Sequence, residues 1–369
     1  MVKKSRIVHV MYARFNYCEC FGQFCSENFG DNQYFCPIGN ENDVNKFTIK
    51  VKNSVYKIIF DRKKVIKTFI NMIKFIFFID RYDIIIWHSL LYNRYLLSFI
   101  ALFKKNIIHK SIWMVWGGDL YDFKSGKKYL DFFYKKFVEN LGGILVAFPG
   151  DREIIYNTFN YNGKIYEGYY GPPTNLGVLK YNAKQLNKNN YITIMIGHCA
   201  IESLNHIKYL KMFLKFRNNN IKIFLPLNYG DLNYAKKVVK YAKDNYNEDK
   251  LIILNKKIQL DVYLNYLYNV DICVLDEIRQ IALGNLFVLL ANDKSLYLNP
   301  KGVMYKYWKS IGLNIKSVNE IIEIKTLENL VFKPNNSKTD YIKNYSSDEV
   351  FLKMWKDLFQ NIERDFNNK

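Results

Sequence analysis

The sequence predicts two Rossmann-like α/β domains in tandem, closed by a C-terminal amphipathic helix. Three observations carry that expectation. Short apolar runs alternate with stretches of helical apolar spacing along both halves of the chain. A polar break holding adjacent prolines, Pro172 and Pro173, separates the halves. A chain of 369 residues is long for one core and suits two.

Element by element, the first half opens with the strand RIVHVMY (6–12), a helix over FGQFCSENF (21–29) and a strand QYFCPI (33–38). KVIKTFINMIKFIFFI (64–79) has helical spacing, interrupted by Lys64, Lys67 and Lys74. DIIIWHS (83–89) reads as a buried strand, YLLSFIALFKK (95–105) as a helix and SIWMVWGG (111–118) as a strand. The amphipathic helix KKYLDFFYKKFVENL (127–141) and the strand GILVAF (143–148) follow. Continuous apolar strands between helices are the mark of a parallel sheet. Beyond the break, strands are expected at 191–197, 221–227, 250–255 and 271–276, and helices at 203–216, 233–246, 260–270 and 284–293. SLYLNP (295–300) begins a run of further short elements. The domains are accordingly placed at 1–178 and 191–345, with a linker at 179–190 and a terminal helix over 346–369. Two similar α/β domains, a short linker and a terminal helix resemble, by analogy at the level of fold, the GT-B glycosyltransferase architecture, which implies a cleft between the domains.

Composition narrows the partners. A hydrophobic content of 49% describes a globular chain. Lys and Arg number 54 against 34 Asp and Glu, a net charge of +20 spread over both halves. Such a charge favours a nucleic acid, an anionic membrane face or a phosphorylated substrate. The basic residues are dispersed and no RNA- or DNA-binding motif appears, so nucleic acid is not the expected partner. A non-enzymatic basic protein that binds nucleic acid or membrane is the alternative reading. The lysine-studded segment 64–79 and FKKNIIHK (103–110) suit an anionic bilayer surface. HVMYARFNYCECFG lacks the G-x-G-x-x-G of a dinucleotide site, and no cofactor is expected. Cys18, Cys20, Cys25 and Cys36 match no zinc spacing and read as small buried thiols. MVKKSRIVHV leads straight into a strand and no run of 18 uncharged apolar residues exists, so a cytoplasmic chain is expected.

The chemistry is expected beyond strand ends, where open α/β sheets bind ligands. In MVWGGDLYDF (114–123), Gly117 and Gly118 open a turn and Asp119 follows, a carboxylate able to take a proton from a sugar hydroxyl. An N-cap or turn role is the competing assignment for Asp119. His88 ends the strand IIIWH and is a second catalytic candidate, as imidazole titrates near neutral pH. In the second half, the strand ITIMIG ends at Gly197, with His206 at the next helix, a turn suited to a diphosphate. LPLNYGD (225–231) offers Tyr229 for stacking on a nucleobase. RQIALGN (279–285) offers Arg279 and Gln280 to phosphate, and Gly284 for close backbone approach. There is no Asp-x-Asp, so no metal is expected, and helix dipoles with Arg and Lys would stabilise the leaving diphosphate.

WGGDLY, IGHCAIESLNH, LPLNYGD and RQIALGN stand in the order and spacing of glycosyltransferase family 56, which the chain resembles from about 83 to about 315. The family is that of the TDP-4-acetamido-4,6-dideoxygalactose (N-acetylfucosamine):lipid II transferase of enterobacterial common antigen synthesis. The resemblance implies a GT-B enzyme, peripheral at the cytoplasmic face of the inner membrane. It would move an aminodeoxysugar from a TDP-sugar to a polyprenyl-diphosphate-linked saccharide, in common-antigen or O-antigen synthesis. Gly117, Asp119 and Tyr121 match the first motif, which with Gly118 would face the acceptor. Gly197 and His206 match the second, Tyr229 the third, and Arg279, Gln280, Gly284 and Asn285 the fourth, all toward the donor. His198 and Cys199 stand where the family often has Asn-Ser, and Ile281 where a second Gln is common. Asp119 serves as base only if the reaction inverts the anomeric centre, and the sequence leaves the stereochemistry open.

Overall fold

The computed structural model describes residues 4–59, 65–91, 94–170, 191–332 and 347–368. The Pro172–Pro173 boundary, the 179–190 linker and Lys64 lie outside the described residues, as does the side chain of Lys67. The chain forms two compact units, each around its own parallel sheet.

In the first unit β1 (Ile7–Tyr12), β2 (Gln33–Gly39), β3 (Ile58–Ile59), β4 (Ile84–His88), β5 (Ser111–Met114), β6 (Gly143–Val146) and β7 (Ile165–Glu167) lie in the order β3-β2-β1-β4-β5-β6-β7. The strands are short, apolar and buried on both faces, because side chains alternate across a strand and helices cover each side. Val8, Val10, Ile85, Trp87 and Trp113 face one core, shared with residues of the helices Val65–Ile79, Arg94–Phe103 and Lys128–Glu139. Ile7, Met11, Ile84, Ile86 and Met114 face the other. That second face is covered by α1 (Asn16–Asn28), α2 (Glu41–Lys50) and the last helix of the chain, Asp348–Asn367. The C-terminal helix is thus part of the first unit. Phe351, Trp355, Leu358, Phe359 and Ile362 bury its apolar stripe, and the Trp355 ring lies 4.6 Å from Phe21 in α1. The Trp355 indole N–H donates to the Tyr169 carbonyl at 3.0 Å.

The second unit holds β8 (Ile192–Ile196), β9 (Ile221–Pro226), β10 (Leu251–Leu254), β11 (Ile272–Leu275), β12 (Ser295–Leu298) and β13 (Lys316–Ser317), in the order β10-β9-β8-β11-β12-β13. Each sheet has one place where consecutive strands depart to opposite sides, between β1 and β4 in the first and between β8 and β11 in the second. Such a switch point leaves a crevice at the strand carboxyl ends.

Local differences from the sequence expectations have local causes. α1 begins at Asn16, ahead of the expected 21, so Cys18 joins Cys25 on its buried face. α2 was not expected, since only Val44 and Phe47 are buried along it; the Asn40 side chain caps it by accepting from the Asp43 N–H at 2.9 Å. The helix Gly150–Phe159 was also unexpected. The strand expected at 111–118 stops at Met114; Val115 still donates to the Leu145 carbonyl at 2.9 Å, and the chain turns at Gly117, whose φ is +85°. The helix expected at 203–216 is broken by Asn205, whose φ is +53°. A 3-10 turn at Glu202–Leu204 precedes it, and the α-helix proper is His206–Phe213. All six cysteines are free thiols and all but Cys20 are buried.

The packing of the last helix gives a direct expectation. Trp355→Ala removes a fully buried indole and its hydrogen bond, and should cost about 3–5 kcal/mol of first-unit stability. Calorimetry should show that unit's transition falling while the transition of the second unit stays in place.

Candidate functional site

At the carboxyl end of the first sheet, the WGGD turn is built around one carboxylate. Gly117 has φ +85° and ψ −60°, a conformation strained for any residue with a Cβ, and it opens the single turn Gly118–Tyr121. Gly118 is different: a Cβ there would meet only Leu91, at an ordinary 3.9 Å. Asp119 points inward and is 0% exposed. Its Oδ2 accepts from the Leu90 N–H at 2.9 Å and the Trp113 indole N–H at 2.6 Å, and its Oδ1 accepts from the Trp116 N–H at 2.9 Å. Burial raises its pKa while these donors oppose the rise. These three bonds fit the competing turn assignment of Asp119, in which the carboxylate ties the loops together. Tyr121 is similarly engaged, its hydroxyl donating to the buried Asp151 at 2.8 Å. Burial pushes Asp151 up to about 7.

His88 is also 0% exposed and reaches no solvent. Its Nε2 lies 2.9 Å from Nδ1 of the buried His9, whose Nε2 lies 2.8 Å from Gln33 Oε1. Its Nδ1 pairs with the Tyr170 hydroxyl. Burial lowers the pKa of both imidazoles, that of His9 to about 4, so both are neutral at physiological pH. Through Nδ1, His88 thus reaches the half-buried Tyr170. Nothing in the sequence marked His9, which stands alone in an apolar run, or Gln33 and Tyr170, which belong to no motif.

The second sheet gathers the donor candidates around its own switch point. Gly197, with φ +66°, ends β8, and a Cβ on it would sit 2.3 Å from His206 Nε2. Only glycine lets the His206 ring slide beneath the turn. That ring is buried, with its pKa lowered to about 4, and its Nε2 has no hydrogen-bond partner among the described residues. His198 is buried beside it and held down to about 3, by burial first and then by His206 and Arg279. Cys199 lies 3.3 Å from the His198 ring, and burial pushes its thiol up to about 12. A thiol that reluctant to ionise is no nucleophile. Tyr229 keeps 52% of its surface exposed and meets His198 edge to face at 5.8 Å.

Across the switch, Glu277 organises the exit of β11. Its Oε2 accepts from Ser203 Oγ at 2.6 Å and lies 3.4 Å from Arg279 Nε, and its Oε1 accepts from the Ile278 N–H at 2.9 Å. Arg279 is consequently held at the crevice with its side chain 13% exposed. Asp276 ties the same exit to Asn299 at 2.7 Å and to Asn205 at 3.0 Å. Ala282, at φ +58°, starts the helix Leu283–Ala291, which carries Gly284 and Asn285 in its first turn. Asn285 Nδ2 donates to the Tyr263 hydroxyl at 2.8 Å, and Gln280 is buried. The geometry thus brings His206 under Gly197, gathers Arg279 with Ser203 through Glu277, and ties Asn285 to Tyr263. Glu277 was not anticipated; its signal was a carboxylate at a strand exit, two residues before an arginine.

Asp119→Asn presents an NH2 group to donors that need an acceptor. Stability should fall by about 1–3 kcal/mol for each N–H left unpaired, with activity lost in parallel. Thermal unfolding measured beside activity separates this from a base, whose Asn variant would fold normally and fail only in turnover.

Solved structures share this architecture. A glycosyltransferase from Rickettsia africae superposes with a TM-score of 0.66 at 15% identity, over 98% of this chain and 99% of that one. HepE from Anabaena, in complex with UDP-glucose, superposes with a TM-score of 0.65 at 12% identity, over 96% and 99%. An alpha,alpha-trehalose-phosphate synthase (UDP-forming) from Burkholderia vietnamiensis gives 0.64 at 10% identity, over 98% and 100%. The fold is therefore GT-B. The family model described as 4-alpha-L-fucosyltransferase glycosyl transferase group 56 matches residues 39–323, reaching further toward the N-terminus than the four sequence motifs. The chain belongs to that family and is a glycosyltransferase.

Proposed function

We propose that the chain transfers a 6-deoxyhexose of the N-acetylfucosamine type from a TDP-sugar to a polyprenyl-diphosphate-linked saccharide. The product would enter a bacterial surface polysaccharide, enterobacterial common antigen or O-antigen. The family description, which names a fucosyl group, supports the sugar class. The UDP-glucose of Anabaena HepE supports a nucleotide-sugar donor. One observation carries the reading furthest: the arrangement at the β8–β11 switch point. Arg279 held by Glu277 offers a cation to a diphosphate, and the first turn of Leu283–Ala291 offers N–H groups and a positive dipole end. The exposed Tyr229 ring offers a nucleobase a stacking face. These groups would stabilise the leaving diphosphate without a metal ion.

A polyprenyl-linked acceptor would bring the enzyme to a membrane surface. Among the described residues no helix is long and apolar enough to cross one. Val65–Ile79 and Arg94–Phe103 leave Ile70, Phe77, Leu102 and Phe103 exposed, with the Lys104 ammonium 4.7 Å from the Phe77 ring. Apolar rings beside lysines suit peripheral attachment to an anionic surface.

Thermal shift with TDP, UDP and GDP, without added metal, tests the donor. TDP should stabilise the protein most, and Arg279→Ala should abolish the shift measured from the variant's own unliganded midpoint, which itself falls because Glu277 loses its cation. Equal response to all nucleotides, or none, would sink the TDP assignment. Sedimentation with phosphatidylglycerol vesicles tests the surface. Binding should weaken by about a hundredfold or more in the double variant Phe77→Ser/Phe103→Ser, given ~1.5 kcal/mol or more for each buried ring. It should also weaken with added salt.

A further inference from the structure

Asp151 is a buried acid that neither the donor nor the acceptor reading uses. It lies in the first turn of the helix Gly150–Phe159, beyond the carboxyl end of β6. An aspartate in a first helical turn ordinarily faces water and is ionised, favoured by the positive end of the helix dipole. This one turns inward and is 0% exposed. Its Oδ1 accepts from the Tyr121 hydroxyl at 2.8 Å, and its Oδ2 is buried without a hydrogen-bond partner among the described residues. Asp119, close by, has three donors for its two oxygens. A buried carboxylate needs such donors or a cation to stay ionised, and Asp151 has one hydroxyl.

Among the described residues, the groups around it supply no compensating charge. On the single turn Gly118–Tyr121, Asp119 is near enough to act on Asp151, and it is negative. On the helix Lys128–Glu139, Tyr134 spends its hydroxyl on the Asp119 carbonyl at 2.8 Å. On the helix of Asp151 itself, Arg152 donates to Glu167 of β7 at 2.7 Å, and Glu153 is exposed. Burial pushes the acid up, the Tyr121 donor opposes the rise and Asp119 adds to it, with the balance at about 7. The proton belongs on Oδ2, the oxygen without a partner, while Oδ1 keeps accepting from Tyr121. The contact joins two strand exits, since Tyr121 ends the turn after β5 and the helix follows β6, its neighbour in the sheet. As the neutral acid, Asp151 closes that contact without leaving a charge in the interior. As the carboxylate, it has one donor and a second carboxylate beside it, and water relieves it when turn and helix separate.

We propose that Asp151 is a proton-operated latch, which holds the turn Gly118–Tyr121 against the helix Gly150–Phe159 while it is the neutral acid and releases the turn when it ionises. The closed form keeps its proton up to about 7, whereas in the open form the acid titrates at about 3.9, as in an unfolded chain. By linkage, closure is strongest below about pH 4, weakens as the pH rises toward about 7 and levels off above it. Between about pH 6 and about pH 8 it weakens about tenfold. The latch regulates the order of the WGGD turn near neutral pH, whichever sugar the enzyme transfers. It therefore stands apart from the identity of donor and acceptor.

Two measurements on the full chain test the latch. With carbon-13 at the aspartate carboxyl carbons, NMR follows the acids from about pH 5 to about pH 9. The Asp151 resonance, identified by its loss in Asp151→Asn, should titrate with a midpoint of about 7. Tyr121→Phe should move that midpoint upward, because it removes the donor that favours the carboxylate. A midpoint below about 5, in the ordinary range of an aspartate, would overturn the proposal. Amide hydrogen exchange in peptides covering 115–123 and 148–156, corrected for the intrinsic chemical rate, reads the opening itself. Wild-type protection should fall about tenfold between about pH 6 and about pH 8 and hold level above, while in Asp151→Asn it should not vary with pH. Should Asp151→Asn fail to fold, Tyr121→Phe identifies the resonance by its displaced midpoint, and its loss of protection should set in at the correspondingly higher pH. Wild-type protection that does not vary with pH would overturn the latch. So would a fall of equal size in Asp151→Asn, or one that starts at the wild-type pH in Tyr121→Phe.

Discussion

The first unit depends on a buried carboxylate that takes three hydrogen bonds from the ends of two neighbouring strands. Asp119 gathers Leu90, just after β4, and Trp113 and Trp116, within and just after β5. A parallel sheet leaves its strand ends as loops with unpaired N–H groups, and burying those groups without acceptors costs free energy. Here one ionisable side chain serves both loops, and Gly117 supplies the strained turn that aims it back into the sheet. The positions of His88 and Trp116 follow from this tie, since each is separated from a tethered backbone N–H by at most two residues.

How much of this was legible depended on whether the signal was periodic. Runs such as IIIWH and ITIMI gave β4 and β8 within a residue or two, because strands buried on both faces leave an unbroken apolar trace. α2 left almost no trace, since a helix with only Val44 and Phe47 buried is polar along most of its length. The glycine turns were legible as turns. Their contents were not: Gly117 was visible as a hinge, but whether Asp119 faces solvent or core depends on two loops that meet only in the fold. The same holds for Glu277 and Ser203, which are 74 residues apart and share one hydrogen bond. Asp119 and His88 could be named from the sequence as catalytic residue types, but not their burial or their hydrogen-bond partners, which only the fold supplies.

Gly197 shows the opposite case, a small sequence signal with a firm structural cause. Its missing side chain is replaced by the His206 ring, which approaches a would-be Cβ to 2.3 Å. The imidazole is thereby packed against the strand end with Nε2 buried and unpartnered among the described residues. A buried polar atom left without a partner costs about 1–3 kcal/mol, so its persistence beside a phosphate-type turn calls for a compensating contact. A diphosphate accommodated at this turn would supply one, with the Nε2 tautomer carrying the hydrogen.

The two switch points share a topology and differ in chemistry, and the difference bears on what each can recognise. At β8–β11 the groups are a guanidinium, a carboxylate, hydroxyls and a helix N-terminus, which are directional and charged. At β1–β4 they are the buried neutral imidazoles of His9 and His88, with the Asp119 carboxylate just beyond. Charged donors in a fixed array favour a multiply charged, compact ligand such as a diphosphate. Neutral imidazoles bring a diphosphate no charge, and a carboxylate repels it. The asymmetry between the sheets, more than any one residue, fits a division of labour in which the second unit grips the donor, while the buried acid of the first orders its own strand ends.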